Sequence, residues 1–145
     1  MSKLIQITDS KGNSYNCVRA SAKEQLELAS ILSKHVVGYG VKKEDLEELL
    51  ESNDFWIGHL YGQISEQGLS YVEKIRSLAG PQLIKHGENK PVTIEDFDGN
   101  TNEYLYVLAE LIKVNIKDFL SWLLDAHERD QQKAQVNKNQ MSAQI

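Results

Sequence analysis

The chain has 145 residues, 41% of them hydrophobic and 26% charged, with a formal net charge of -5 at pH 7. A chain of that size favours one domain burying roughly two-thirds of its unfolded surface, and without a run of about 18 apolar residues no transmembrane helix is expected. The acidic balance argues against nucleic-acid binding, which needs clustered Lys and Arg, and the single Cys17 excludes an internal disulfide or a cysteine-based zinc site.

The opening Met1-Ser2-Lys3-Leu4-Ile5-Gln6-Ile7-Thr8-Asp9 alternates and turns polar too early for a signal peptide, so a cytoplasmic location is expected. It reads as the first arm of a β-hairpin over Leu4 to Arg19. Leu4, Ile5 and Ile7 precede Asp9-Ser10-Lys11-Gly12-Asn13, and Tyr15, Cys17 and Val18 come after it. Gly12 and Asn13 tolerate the positive φ of a tight reversal. Period two puts Ile5 and Ile7 on one face and Tyr15 and Cys17 on one face of the partner strand. A lone hairpin is barely stable in water, so this one must pack on something.

Helices supply the packing. Ser21-Ala22-Lys23-Glu24 is a capping-box pattern, and Leu28, Leu32 and Val36, with Ile31, form an apolar stripe that Gly38 and Gly40 end. A short helix from Lys42 to Glu51 carries Leu46, Leu49 and Leu50 inward and Glu44, Asp45, Glu47, Glu48 and Glu51 outward. Ser52-Asn53-Asp54 caps a third helix with Phe55, Trp56, Ile57, Leu60 and Tyr61. Ser65 is placed to cap a fourth, with Ile64 stapled against Leu69, and Leu69, Val72, Ile75 and Leu78 keep helical spacing until Gly80-Pro81. Leu83-Ile84-Lys85 and Pro91-Val92-Thr93 flank His86 to Lys90 as a small second hairpin.

Asp98-Gly99 makes a turn, and Asn100 or Thr101 caps the last helix. From Glu103 the longest apolar pattern runs through Tyr104, Val107, Leu108, Leu111, Ile112, Ile116, Phe119, Leu120, Leu123 and Leu124. Asn115 interrupts it, and Asn115-Ile116-Lys117-Asp118 either caps a fresh helix or faces solvent. After His127 the chain stays polar, which suggests a fraying helix and then disorder. The expected fold is therefore α+β, predominantly α-helical: an N-terminal β-hairpin packed on a bundle of about four to five helices. Residues 1–127 make one globular domain and residues 128–145 a polar, disordered tail.

No arrangement of catalytic or ligating residues stands out. His35, His59, His86 and His127 show no metal-ligand spacing on one helical face. His86-Gly87-Glu88 resembles the H-x-E of zinc deaminases, but one Cys cannot supply their pair of thiolates. Asp96-Phe97-Asp98-Gly99-Asn100-Thr101-Asn102 departs from a calcium loop, with Thr101 at the glycine position and Val107 at the twelfth. Cys17 has no nearby His and reads as a buried structural thiol. Gly38-Tyr39-Gly40 lacks the Lys-Ser/Thr of a phosphate loop. No carboxylate pair is set in apolar surroundings that would raise one pKa. The expectation is a non-enzymatic interaction protein with no cofactor and no metal.

One resemblance gives that expectation a direction. Pro91-Val92-Thr93-Ile94-Glu95-Asp96-Phe97-Asp98-Gly99, then Tyr104, Ala109-Glu110 and Val114-Asn115-Ile116-Lys117-Asp118-Phe119, resembles a pattern in tail assembly chaperones of tailed phages and prophages. The motif-like positions are Asp96, Phe97, Gly99, Asn115 and Asp118. Tyr15 to Gln25 is similar to the strand-into-helix opening of that family, and together these stretches cover about half of the chain. The resemblance implies a protein needed for tail assembly but absent from the finished virion. It would coat the tape-measure protein while tail-tube subunits polymerise, with self-association and no part for nucleic acid or membrane. The helix face carrying Tyr104, Leu108, Leu111, Ile112 and Phe119 is the expected partner-binding face, with the domain core as the competing reading of the same stripe. Two other classes stay open: a small acidic inhibitor of a host defence complex, using the run from Glu44 to Asp54, and a structural tail completion protein.

Overall fold

Every other part of the fold is arranged around the last helix. The computed structural model describes residues 4–36 and 43–143. In chain order these are β1 (Leu4–Thr8), β2 (Ser14–Val18), α1 (Ala22–Val36), α2 (Lys43–Glu51), α3 (Asn53–Gln67), α4 (Leu69–Ala79), β3 (Ile84–Lys85), a 3-10 turn (Ile94–Phe97) and α5 (Thr101–Ala143). The result is α+β and predominantly helical, as the sequence pattern implies. The helix stop expected at Gly38 and Gly40 lies outside the described residues.

The N-terminal hairpin forms as its alternation dictates. β1 pairs antiparallel with β2 from Leu4↔Val18 to Thr8↔Ser14. Gly12, at φ +87°, takes the left-handed step of the reversal, and Asn13 does not share it, since no described non-glycine residue has positive φ. The second hairpin is present in minimal form. Ile84 bridges to Pro91, and Val92 N donates to Leu83 O at 2.7 Å. Its first arm also does something the pattern did not suggest: β3 pairs with β2 through Tyr15↔Lys85 and Asn16↔Ile84, which makes a three-stranded antiparallel sheet in the order β1-β2-β3.

Caps set several of the helix ends. Ser21 N donates to Glu24 Oε1 at 2.9 Å and Glu24 N to Ser21 Oγ at 3.2 Å, which completes the capping box before α1. Ser52 Oγ accepts from Phe55 N at the start of α3. One cap departs from expectation. Ser65 lies inside α3, which runs on to Gln67, and the break is made by Gly68 at φ +77° with its N–H on Ile64 O. A positive-φ glycine ends a helix whatever serine precedes it, so α4 begins at Leu69, whose side chain is exposed instead of stapled.

α5 is unbroken through Asn115 and extends to Ala143, past the point where a tail without structure was expected. Nothing in its sequence forces a stop, because no Gly or Pro comes after Gly99. Its first half lies among α1, α2, α3, α4, β1 and the 3-10 turn. Tyr104, Leu105, Val107, Leu108, Ala109, Leu111, Ile112 and Ile116 are all buried in a single apolar cluster that reaches from Ile7 to Leu124. A helix with so wide an apolar surface must be covered over most of its circumference, leaving Glu103, Tyr106, Glu110 and Lys113 on its partly open side. Here the chain covers it with its own elements.

Leu111 shows how tight that packing is. A Cβ placed on Gly80, just after α4, would lie 2.8 Å from Leu111 Cδ1, and Cys17 Sγ would be 3.4 Å away. Replacing Leu111 with Ala should destabilise the protein by about 2–5 kcal/mol, measured by urea unfolding, because the neighbours that define the cavity are held by secondary structure. Gly80→Ala should also destabilise it, through steric displacement of Leu111.

Candidate functional site

The side chains expected to form a partner-binding face do not form one. Tyr104, Leu108, Leu111 and Ile112 are at most 5% exposed, inside the apolar cluster, and Phe119 is half-buried against it. The stripe is core, because α5 is enclosed by six other elements. A binding function must use what remains outside.

The motif-like residues also turn out to hold the fold. Asp96 closes the 3-10 turn: Thr93 N donates to its Oδ2 at 2.7 Å, and this bond, with a small contribution from nearby Lys90 and Arg76, holds the exposed carboxyl below its ordinary pKa. Phe97 is buried between Tyr15, stacked with ring centroids 6.2 Å apart, and Tyr104, tilted at 5.2 Å. Gly99 has φ +79°, which suits it to the step into α5. Asn115 is 2% exposed, so neither sequence reading of it, as a cap or as a solvent-facing residue, holds. Its Oδ1 accepts from Ala20 N at 2.9 Å, and its Nδ2 donates to Ala79 O and Leu111 O at 2.8 Å each. Asp118 lies within α5, and its side chain is outside the described set. Neither Asn100 nor Thr101 caps α5 by a side-chain bond to its first turn: the Asn100 side chain accepts from Lys11 Nζ at 2.6 Å instead.

Chemistry-bearing groups are similarly tied up. Among the described residues, no three His, Cys, Asp or Glu side chains are grouped to hold a metal ion. Cys17 is buried against α4, and desolvation pushes its thiol pKa up despite the opposing charge of Arg76. His59 Nε2 lies 2.7 Å from the hydroxyl of buried Tyr71, whose pKa burial pushes up to about 12. A cavity of about 140 Å³ between β3 and the 3-10 turn is lined by Tyr15, Lys85, Glu88, Val92, Asp96 and Phe97, and mixes both charge signs on an aromatic floor. No described helix is long and apolar enough to cross a membrane.

What the surface does offer is a strand edge and an acidic helix. Leu4 and Val18, cross-strand neighbours at the open end of the hairpin, are 67% and 41% exposed. Gln6 and Thr8 of β1 are exposed beside them. The carboxylates of Glu44, Asp45, Glu47, Glu48 and Glu51 all face solvent on α2. The acidic run stands out in the sequence as a cluster of charge, whereas the edge does not. The signal was available, since Leu4-Ile5-Gln6-Ile7-Thr8 is a strand without charge, glycine or proline.

The hairpin that carries this edge is locked at its tip by Asp9, a carboxylate 5% exposed. It accepts from Lys11 N, Asn13 N and Asn13 Nδ2 at 2.9 Å each and from the Tyr15 hydroxyl at 3.0 Å. Burial alone would raise its pKa, but the bonds from Asn13, Tyr15 and Lys11 outweigh burial and lower it below the ordinary 3.8. A carboxyl with a depressed folded pKa stabilises the fold above its unfolded value and loses that contribution as pH falls through the folded one. Asp9→Asn should therefore cost about 1–3 kcal/mol at neutral pH, and the gap to the parent should close below about pH 4, read by thermal melting across pH.

No protein-family model, curated protein or solved structure matches the chain.

Proposed function

We propose that the protein is a non-catalytic phage tail assembly chaperone that holds tape-measure or tail-tube subunits during assembly. The observation that supports this reading is the way the resembling segment folds. From Pro91 to Asn115 it is one connected unit, in which the Thr93–Asp96 turn, the Phe97 stack, Gly99 and Asn115 each set the entry or the register of α5. Residues that build a scaffold are what a resemblance of fold would share. The chemistry of partner binding then falls to the exposed surface: the β1 edge with apolar Leu4, exposed Val18 beside it on β2, and an acidic helix face that favours solubility.

The acidic inhibitor remains a second reading because the five carboxylates of α2 are all free to face a basic partner. Co-expression separates the two. With the product of a neighbouring gene encoding a very long helical protein, the chaperone reading expects that protein to move from the insoluble to the soluble fraction and to co-purify with this chain. Virions purified from the same phage should lack the chain by mass spectrometry. Its presence in virions would identify a structural tail component. Release of DNA from a host nuclease on addition of the chain, with no effect on the long protein, would identify the inhibitor.

A further inference from the structure

Among the described residues, one of the sheet's two edges is closed and the other is open. β3 is two residues long and is backed by Pro91, which has no N–H to offer a further strand. β1 is five residues long and carries none of the devices that blunt an edge.

Strand alternation fixes which groups that edge presents. Asp9 N donates to Asn13 O at 3.0 Å, so the facing pairs that exchange hydrogen bonds within the hairpin are the odd-numbered ones, Ile7 with Tyr15 and Ile5 with Cys17. On the far side, Ser14 O accepts from His86 N at 2.9 Å, as it must if the even-numbered residues of β2 turn away from β1. The main-chain N–H and C=O groups of Leu4, Gln6 and Thr8 consequently point off the edge. Among the described elements β1 touches only β2 and α5, and the side chains of Leu4, Gln6 and Thr8 are exposed. The strand is also held firmly before anything binds it. Ser10, just beyond it, donates its N–H and its hydroxyl to the Glu103 carboxylate, and Lys11 reaches Asn100, both on or beside the start of α5.

From this edge we infer that β1 pairs antiparallel with β1 of a second copy of this chain, about a two-fold axis through Gln6. In that register Gln6 faces Gln6 of the other copy, and Leu4 faces its Thr8. Every outward group on both edges is then used, giving about six main-chain hydrogen bonds across the axis. An edge of this kind requires an extended strand as its occupant, and a second copy presents the same unmet groups and meets them in a symmetric register. No charge opposes a charge, because β1 carries none. Two three-stranded sheets become one of six strands, within the ordinary range of sheet sizes. The inference rests on the geometry of the edge and not on the chaperone reading, but it seats a second copy on the same edge that the reading leaves open to a partner; failure of either therefore does not decide the other.

Hydrogen exchange on the full chain, measured over a range of concentrations with analytical ultracentrifugation alongside, tests it. The expected result is a dimer in which the amides of Leu4, Gln6 and Thr8 are protected, and on dilution to monomer exchange at least tenfold faster. Those of Ile5 and Ile7 should stay protected throughout. Gln6→Pro removes an outward N–H that β2 does not use and should abolish the dimer, with circular dichroism unchanged. Should proline perturb the hairpin, Gln6→Lys sets two ammonium groups face to face and should abolish the dimer in the same way. A chain that is monomeric at every concentration with those three amides unprotected overturns the inference. So does a dimer that survives Gln6→Lys, or protection of the three amides only when an unrelated extended peptide is added.

Discussion

A single buried amide determines how the pieces of this fold meet. Asn115 sits on α5 where the apolar pattern would place a leucine, and it bonds three separate stretches of backbone. Ala20 lies in the link between β2 and α1, Ala79 ends α4, and Leu111 is one turn back on α5 itself. The Ala20 amide can only donate and the Ala79 carbonyl can only accept, so one orientation of the side chain serves both. Both are backbone groups at element ends, where no ladder partner is available, and the asparagine takes the place of water. Sliding or rotating α5 would strand the amide and the groups it satisfies in an apolar interior, at a cost no small rearrangement recovers. The apolar cluster supplies the attraction between the elements, and the asparagine selects one alignment of them.

The region beside Asn115 is fixed by two more polar contacts and one absent side chain. Arg76 donates from Nε to Gly80 O and from Nη2 to Val92 O, both at 2.6 Å, and so joins the end of α4 to the returning arm of the second hairpin. Gly80 leaves the space that Leu111 fills. The tilted and stacked rings of Tyr15, Phe97 and Tyr104 then connect the sheet, the 3-10 turn and α5 on the other side. The Gly80–Leu111 contact and the ring stack join the α4–β3 segment and the N-terminal hairpin to α5, while Arg76 ties α4 to the second hairpin. The helix is the common partner, and for that reason the apolar side chains of its first half are taken up by the fold itself.

The local signals in the sequence were legible because they act over a few residues. Ser21 with Glu24, Ser52 at α3, Gly12 in the reversal and Gly80 after α4 each satisfy or free a backbone group nearby, and each stands where its chemistry predicts. What was hidden depended on contacts far apart in the chain. Asn115 read as an interruption because its partners are 95 and 36 residues away. The pairing of β3 with β2 could not be seen in a two-residue strand. The stretch Tyr104-Leu105-Tyr106-Val107-Leu108-Ala109 is apolar nearly all round, which is the mark of an enclosed helix, yet counting only the residues at helical spacing made it look like a stripe with a free side. The open edge of β1 was written in its lack of charge, but its exposure became evident only from knowing that β2 had its other neighbour in β3.

The dependence of the hairpin on α5 has a consequence for synthesis on the ribosome. Ser10 and Ala20 are joined to residues 93 and 95 positions later. At translation rates of roughly 5–20 residues per second, the hairpin leaves the exit tunnel about 5–20 s before the helix that covers it. Through that interval Ile7, Tyr15 and Cys17 lack the part of the core that α5 supplies, and the Asp9 turn and the β1–β2 ladder hold the two strands together. The nascent chain is therefore a different object from the finished one, with an apolar sheet face in place of a core. The lock at Asp9 is local, complete within residues 9–15, and able to form before anything downstream exists.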